Sequence, residues 1–275
     1  MKGQSKKQEE ADDFGKVSFP KLPCPECFRD GVQGTKKSWA SAQNLARQPS
    51  RVVVVRAITK RYKTMSYTMN AAEFNEKIMK GHFRKIYPVI AAQIVERTGV
   101  RSGRCVDLGG GPGMLGVCLA KITSLTVTVV DLMPECVELA RENSAEAGVA
   151  ERVDVVQGVA EALPFDDASI DLVVSRGSIF FWEDQQKGLA EVYRVLRPGG
   201  WAWIGGGFGT AELLREIEAA KADDPEWNRK RRERMTQNPP EHFRAILERL
   251  GIDGVVEHQE AGTWIIFRKP AEVEA

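Results

Sequence analysis

The stretch Val106-Asp107-Leu108-Gly109-Gly110-Gly111-Pro112-Gly113-Met114-Leu115-Gly116 concentrates the residue types that bring a backbone against a ligand. Glycines allow close approach, and a helix opening directly after them presents unpaired N–H groups. Within the run, Gly111-x-Gly113-x-x-Gly116 has dinucleotide-type spacing, and Asp131 stands 20 residues beyond Gly111. An acid there can accept both hydroxyls of a ribose. The set specifies an adenosine-type ligand and leaves the reaction open. Asp107 narrows it, because a carboxylate just before the glycines can face a cation, whereas proteins that bring a pyrophosphate to such a turn usually carry an apolar residue there.

A second group of candidates follows the fourth strand as Arg176-Gly177-Ser178-Ile179-Phe180-Phe181-Trp182-Glu183-Asp184. Ligands of open α/β sheets sit beyond the carboxyl ends of the strands, so Arg176, Ser178, Phe180 and Phe181 are expected to border a substrate. Arg176 is suited to steering an anionic group, while Phe180, Phe181 and Trp182 equally suit packing under the next helix. Gly206, in Gly205-Gly206-Gly207-Phe208-Gly209, joins the candidates because such a tract favours close approach by a bulky ligand or a hinge; a loose loop reads the same way. Only His82, His242 and His258 exist. His82 is the histidine that falls on a helix near the turn, so it and Arg176 are the catalytic candidates, with a structural role as the alternative for His82.

Cys24-Pro25-Glu26-Cys27 forms half a zinc knuckle, and a complete site needs four ligands. No second CxxC follows, so no metal is expected. Cys105, Cys118 and Cys136 fall on a predicted strand and two helices, where burial as small apolar residues is the default.

The elements that must position these groups alternate. Candidate strands span residues 105–108, 126–130, 153–156, 170–175 and 201–204, separated by helical patterns at 114–121, 134–147 and 187–196. That alternation implies a parallel sheet with helices on both faces. Arg197-Pro198-Gly199-Gly200 reads as a turn into the fifth strand. Residues 255–259 and 263–269 read as two strands around the tight turn Ala261-Gly262. Upstream, Phe74, Ile78, Phe83, Ile86, Ile90 and Ile94 recur mostly every fourth residue, as on one or two helices that Pro88 would bend or divide. Residues 210–249 are charged and helical, interrupted by Pro225 and by Asn238-Pro239-Pro240.

The 275 residues suffice for one full α/β domain and an extra segment. An apolar fraction of 43% with 28% charged residues excludes collagenous, membrane-embedded and wholly disordered classes. The longest aliphatic run, Val52 to Val55, is far short of the roughly 20 residues of a span, and the first residues contain no apolar signal segment. With an odd number of cysteines, 5 in all, the expected location is cytoplasmic. Residues 1–63 hold 14 Lys/Arg against 6 Asp/Glu, so a basic arm precedes an acidic body. The arm suits nucleic acid or an anionic substrate; a solvated tail folded over the acidic body accounts for it as well.

Three further motifs join the glycine turn in order: Gly158-Val159-Ala160-Glu161-Ala162-Leu163-Pro164-Phe165, Ile170-Asp171-Leu172-Val173-Val174-Ser175, and Tyr193-Arg194-Val195-Leu196-Arg197-Pro198-Gly199-Gly200. Together the chain resembles, over about residues 80–207, the small-molecule branch of class I S-adenosylmethionine-dependent methyltransferases, the group often called methyltransferase type 11. The resemblance implies a Rossmann-like α/β fold: a seven-stranded doubly wound sheet, mostly parallel, with a C-terminal antiparallel hairpin. It implies S-adenosyl-L-methionine as cofactor and methyl transfer to a small-molecule acceptor. Asp107, Gly109, Gly110, Gly111 and Gly113 would hold the methionine end, Asp131 the ribose, and Leu132 with Met133 one face of the adenine. Ala160 and Glu161 would border the adenine edge, and Ser175 is a further cofactor-binding candidate. Val159 departs from the family pattern, which often has an aspartate there for the adenine amino group, so backbone groups or Glu161 must supply that contact. A loop histidine common in relatives is replaced by Phe180 and Phe181, which excludes a histidine base in that loop. In-line displacement needs positioning first, and a base only for weak nucleophiles.

The expected organisation is a basic, partly disordered arm (1–69) before a methyltransferase domain (70–275) with a helical cap (70–100) and a helical insertion (210–240). Two alternatives stay open. An RNA methyltransferase or RNA-associated S-adenosylmethionine-binding module would use the arm, and an NAD(P)-dependent oxidoreductase would use a related sheet. No membrane contact is expected, and the oligomeric state is left open.

Overall fold

The structure, a computed structural model, describes residues 70–271. The arm and its cysteines Cys24 and Cys27 therefore lie outside the described residues.

The chain begins with α1 (Ala71–Phe74), which runs on as a π-helix (Asn75–His82), then α2 (Ile86–Thr98), β1 (Ser102–Leu108), α3 (Met114–Ile122), β2 (Ser124–Asp131), α4 (Pro134–Glu146) and β3 (Val153–Gln157). It continues with β4 (Ile170–Arg176), a 3-10 turn (Ile179–Phe181), α5 (Gln185–Val195) and β5 (Leu196–Gly207). Three helices follow, α6 (Ala211–Ala220), α7 (Pro225–Gln237) and α8 (Pro240–Leu250), before β6 (Gly254–Gln259) and β7 (Gly262–Arg268).

The seven strands form one sheet in the order β3-β2-β1-β4-β5-β7-β6. Strands β1 to β5 pair in parallel, and β7 runs antiparallel to both β5 and β6. The central strands are apolar on both sides because helices cover both faces. Leu172 and Val174 join the core beneath α2 and α3 with Ile86, Ile90 and Leu119, while Val173 between them joins Leu189, Val192 and Phe243 on the other face. The strand order reverses at the β1/β4 boundary, which opens a crevice at the carboxyl ends of these two strands. The Asp107 and Arg176 ends of the two strands both lie there.

Prolines start helices where the sequence breaks them. Pro225 and Pro240 each occupy a first helical position, where the missing N–H is not needed. Pro88 is likewise tolerated in the first turn of α2, so the expected bend there does not occur. The break falls at Gly81, whose backbone (φ −87°, ψ −105°) leaves helical space. Residues Arg197 to Gly200 also differ from expectation. They form a bulge inside β5 rather than a turn before it, because Leu196 already pairs with Ile170 and the register resumes at Leu172 and Trp201. Among the described residues no helix is long and apolar enough to cross a membrane.

Candidate functional site

Asp107 closes on the glycine turn from below. Its Oδ2 accepts the Gly116 N–H at 2.8 Å, in the first turn of α3, so β1 supplies the helix cap that Gly113 cannot. The carboxyl is 1% exposed and its Oδ1 has no partner. Burial pushes the acid up to about 7, against the pull of the Gly116 hydrogen bond. The turn keeps the conformations that favour glycine, with φ of +62° at Gly109, +55° at Gly111 and +77° at Gly113. At Gly110 a Cβ would stand 2.7 Å from the Asp107 carboxylate.

Asp131, at the end of β2, braces the same turn from the side. Its Oδ2 accepts Gly111 N–H at 2.8 Å and its Oδ1 accepts Met133 N–H at 2.9 Å. Burial raises its pKa, while these backbone donors hold it down. Leu132 and Met133 are half-buried beside it, and Gln157 donates to the Leu132 carbonyl at 2.9 Å. Ala160 is buried in the core under α5. Glu161 is committed elsewhere than expected: its Oε1 accepts the N–H groups of Glu183 (2.7 Å) and Asp184 (3.2 Å) and so ties down the segment before α5.

Ser178 is likewise spent. Its hydroxyl lies 2.6 Å from Ser175 Oγ, donates to the Leu108 carbonyl at 3.0 Å and accepts the Trp182 indole N–H at 3.0 Å. One donor and two acceptor positions are the whole capacity of a hydroxyl, and Ser178 uses all three within the protein. It ties the ends of β1 and β4 together instead, with Ser175 fully buried beneath it. Gly206 also has a packing role. A Cβ there would lie 2.6 Å from the Phe180 ring, and Cβ atoms at Gly205 and Gly207 would strike Thr263 and Trp264. The glycine tract is therefore the paired end of β5 rather than a loose loop or hinge. Phe180 is half-buried against Phe243, while Phe181 lies under the Arg234 guanidinium at 5.3 Å.

Arg176 ends β4 among aromatic faces. Its Cζ lies 4.7 Å from the Phe83 ring centroid, 5.6 Å from Tyr87 and 5.3 Å from Phe208, and its Nε donates to Gly207 O at 3.0 Å. Tyr87 is buried, and its hydroxyl donates to Met79 Sδ at 2.9 Å. Burial pushes this phenol up to about 12, with Arg176 lowering and Asp107 raising it. Both charges therefore act on Tyr87 across the β1/β4 crevice. On the outer side Phe208 meets Trp227 and Arg231 of α7. Sequence reasoning missed Phe83, Tyr87, Phe208 and Trp227 because they register there as ordinary core positions.

His82 is not drawn into this arrangement. It is exposed and lines a cleft of about 410 Å³ with Lys80, Lys85, Leu213 and Glu216, between the first helices and α6. Among the described residues no cluster of three or more potential ligands could hold a metal ion.

The methyltransferase domain family matches residues 106–204. The chain is 44% identical over 101 residues to 2-methyl-6-phytyl-1,4-hydroquinone methyltransferase 2 of Oryza sativa subsp. japonica, covering 36% of this chain and 28% of that protein. It is 35% identical over 118 residues to the demethylmenaquinone methyltransferase of Chlorobaculum tepidum, covering 42% and 46% respectively. The chain thus spans less than half the length of these curated relatives. A crystal structure from Methanococcus maripaludis, described as an S-adenosyl-L-methionine-dependent methyltransferase, is similar with a TM-score of 0.70 and 37% identity over 74% of this chain and 93% of that one.

Proposed function

The chain belongs to the S-adenosylmethionine-dependent methyltransferase family, and from that premise we propose that it carries a methyl group from S-adenosylmethionine to a small-molecule acceptor by in-line displacement. The observation that carries the reading is the buried, unpartnered Oδ1 of Asp107 beneath the glycine turn. A buried acceptor without a donor is costly, and an ammonium-bearing ligand supplies the donor, whereas a pyrophosphate would meet a like charge. This favours an amino-acid-bearing adenosine ligand over a nicotinamide dinucleotide.

In this reading Asp107 with Gly109, Gly110, Gly111 and Gly113 holds the methionine end. Asp131, whose oxygens each hold one backbone amide, keeps further lone pairs for the ribose hydroxyls. Leu132 and Met133 cover the adenine face. Glu161 spends its Oε1 on the amides of Glu183 and Asp184, so backbone groups near Val159 and Ala160, or the other Glu161 oxygen, supply the adenine edge. When bound, the cofactor supplies an electrophilic methyl group.

For the acceptor we infer a hydroxylated aromatic ring. The curated relatives include a hydroquinone methyltransferase by name, and the side chains around Arg176 at the β4 terminus, Phe83, Tyr87 and Phe208, are aromatic. No histidine serves as base, since His82 lies in the outer cleft. Positioning donor and acceptor at about 3 Å then supplies much of the rate. We place the reaction in the cytoplasm, supported by the free thiols of Cys105, Cys118 and Cys136. Calorimetric titration with S-adenosylmethionine, S-adenosylhomocysteine and NADH tests the core of the reading. Binding of the first two and not the third is expected, and failure of both adenosyl ligands to bind overturns it.

A further inference from the structure

We propose that Arg176 binds the acceptor's oxygen as a phenolate, so that a hydroxylated aromatic acceptor is activated for methylation at carbon by a guanidinium rather than by a general base. This rests on the methyltransferase reading above and deepens it by naming the ionisation state of the acceptor and the atom that is methylated.

Arg176 closes β4 at the crevice where the strand order reverses, directly after the fully buried Ser175. Its Nε is fixed on Gly207 O and the guanidinium also hydrogen-bonds the Tyr87 hydroxyl, which orients its plane; the remaining N–H donors of the five are the ones an acceptor oxygen would engage. No carboxylate pairs with it among the described residues. Arg231, which shares the Phe208 ring at 5.5 Å, is by contrast neutralised by Glu218. The faces of Phe83, Tyr87 and Phe208 part-shield the Arg176 charge from water without cancelling it. A cation in such a place attracts an anion more strongly than it would in bulk water.

The charged and titratable groups that face Arg176 include Tyr87, on which Asp107 of β1 and Cys118 of α3 also act, and Arg231 across Phe208. Tyr87 keeps its own proton, because burial holds its phenol near 12. The acceptor's hydroxyl proton passes to water, and the ionised oxygen held by Arg176 pushes electron density onto the ring carbons, so the nucleophile is generated before the methyl group moves. As the new carbon–carbon bond forms from ring π electrons, the methyl carbon–sulfur bond breaks, and sulfur keeps that bonding pair and loses its positive charge. The phenolate charge is consumed in a neutral dienone. Loss of the ring-carbon proton to water restores the aromatic phenolate. With its oxygen engaged by Arg176, the acceptor is attacked at carbon.

The test uses 4-nitrophenol, whose ionised form is coloured, with the full chain saturated with S-adenosylhomocysteine. The expected result is a bound probe whose apparent pKa is lower than in buffer by about one unit, a tenfold gain in the ratio of ionised to neutral form. Arg176→Gln should abolish that shift while S-adenosylhomocysteine affinity stays within about threefold. Arg176→Lys should keep a smaller shift, and it stands in if the glutamine variant does not fold. An unshifted or raised pKa in the wild type, failure of the probe to bind, or an equal shift in either variant overturns the proposal. Failure of S-adenosylhomocysteine itself to bind overturns the broader reading instead.

Discussion

Asn75 and Asn143 meet amide to amide, each donating to the other's carbonyl at 3.3 and 3.1 Å, and Asn143 also donates to the Pro112 carbonyl at 2.8 Å. Both side chains are buried. The pair therefore joins the π-helix, α4 and the glycine turn through one hydrogen-bonded contact. Replacing Asn143 by Ala removes the donor to the Asn75 side-chain carbonyl and to the Pro112 carbonyl. The expected cost is about 1–3 kcal/mol in urea unfolding, with weaker S-adenosylhomocysteine binding because the turn loses a brace. An equal affinity in calorimetry would show that the turn holds its shape without this contact.

Two glycines of the turn should respond differently to a single methyl group. At Gly109 a Cβ would lie 2.3 Å from the Ser178 Cβ in a backbone with φ of +62°, so Gly109→Ala combines strain with a clash against a hydroxyl that cannot move without losing its partners. At Gly111 the φ is +55° but nothing lies within 4 Å. Gly111→Ala should cost only the left-handed strain of about 1–2 kcal/mol. Gly109→Ala should cost clearly more in denaturant melts. Equal losses would contradict the Ser178 contact.

Asp131 has both a structural and a binding role, since it holds the amides of Gly111 and Met133. Asp131→Ala is expected to lower S-adenosylhomocysteine affinity by about 10- to 100-fold, the range of a lost charge-assisted hydrogen bond. It should also lower the melting temperature, so the fold does not pass untouched as a pure ribose contact would predict. Calorimetry and thermal melts on one preparation separate the two effects.

The pH dependence of stability follows from Asp107. In the folded protein without ligand its proton is held up to about pH 7, while the unfolded chain releases it near 4. Between these values the folded state binds more protons, so stability falls as pH rises from about 4 to about 7 and then levels. The slope contributed is at most about 1.4 kcal/mol per pH unit, and Asp131, also raised by burial, acts in the same direction. Asp107→Asn should flatten the profile in urea melts across this window. Affinity for an ammonium-bearing ligand should move the opposite way, tightening as Asp107 ionises.

The glycine turn, its two aspartates and the alternating strands were legible because each rests on a local rule. Left-handed backbone needs glycine, and strands covered on both faces read as continuous apolar runs. Glu161, Ser178 and Gly206 carry internal contacts that the sequence does not announce, for a common reason. What a carboxylate or hydroxyl does depends on whether its lone pairs are already taken, and the partners Glu183, Leu108, Trp182 and Phe180 are set by tertiary contact. Phe83, Tyr87 and Phe208 reach Arg176 across long sequence separations, and apolar periodicity assigns such residues to the core. Pro88 and the bulge at Arg197 to Gly200 show the limit of breaker rules, since a proline in a first helical turn and a glycine pair in a bulge disturb nothing.

The glycine end of β5 also constrains how this protein can diverge. The space a side chain at Gly206 would occupy is held by the Phe180 ring, whereas a side chain at Gly205 would meet the backbone of Thr263 and Trp264, and one at Gly207 the Trp264 ring beside the Ala261 carbonyl. A larger residue at Gly206 can be accepted only in a lineage where residue 180 has already become smaller, while the backbone against Gly205 cannot give way to any side chain. Positions 180 and 206 are therefore expected to change in concert among descendants of this chain, and position 205 to stay glycine.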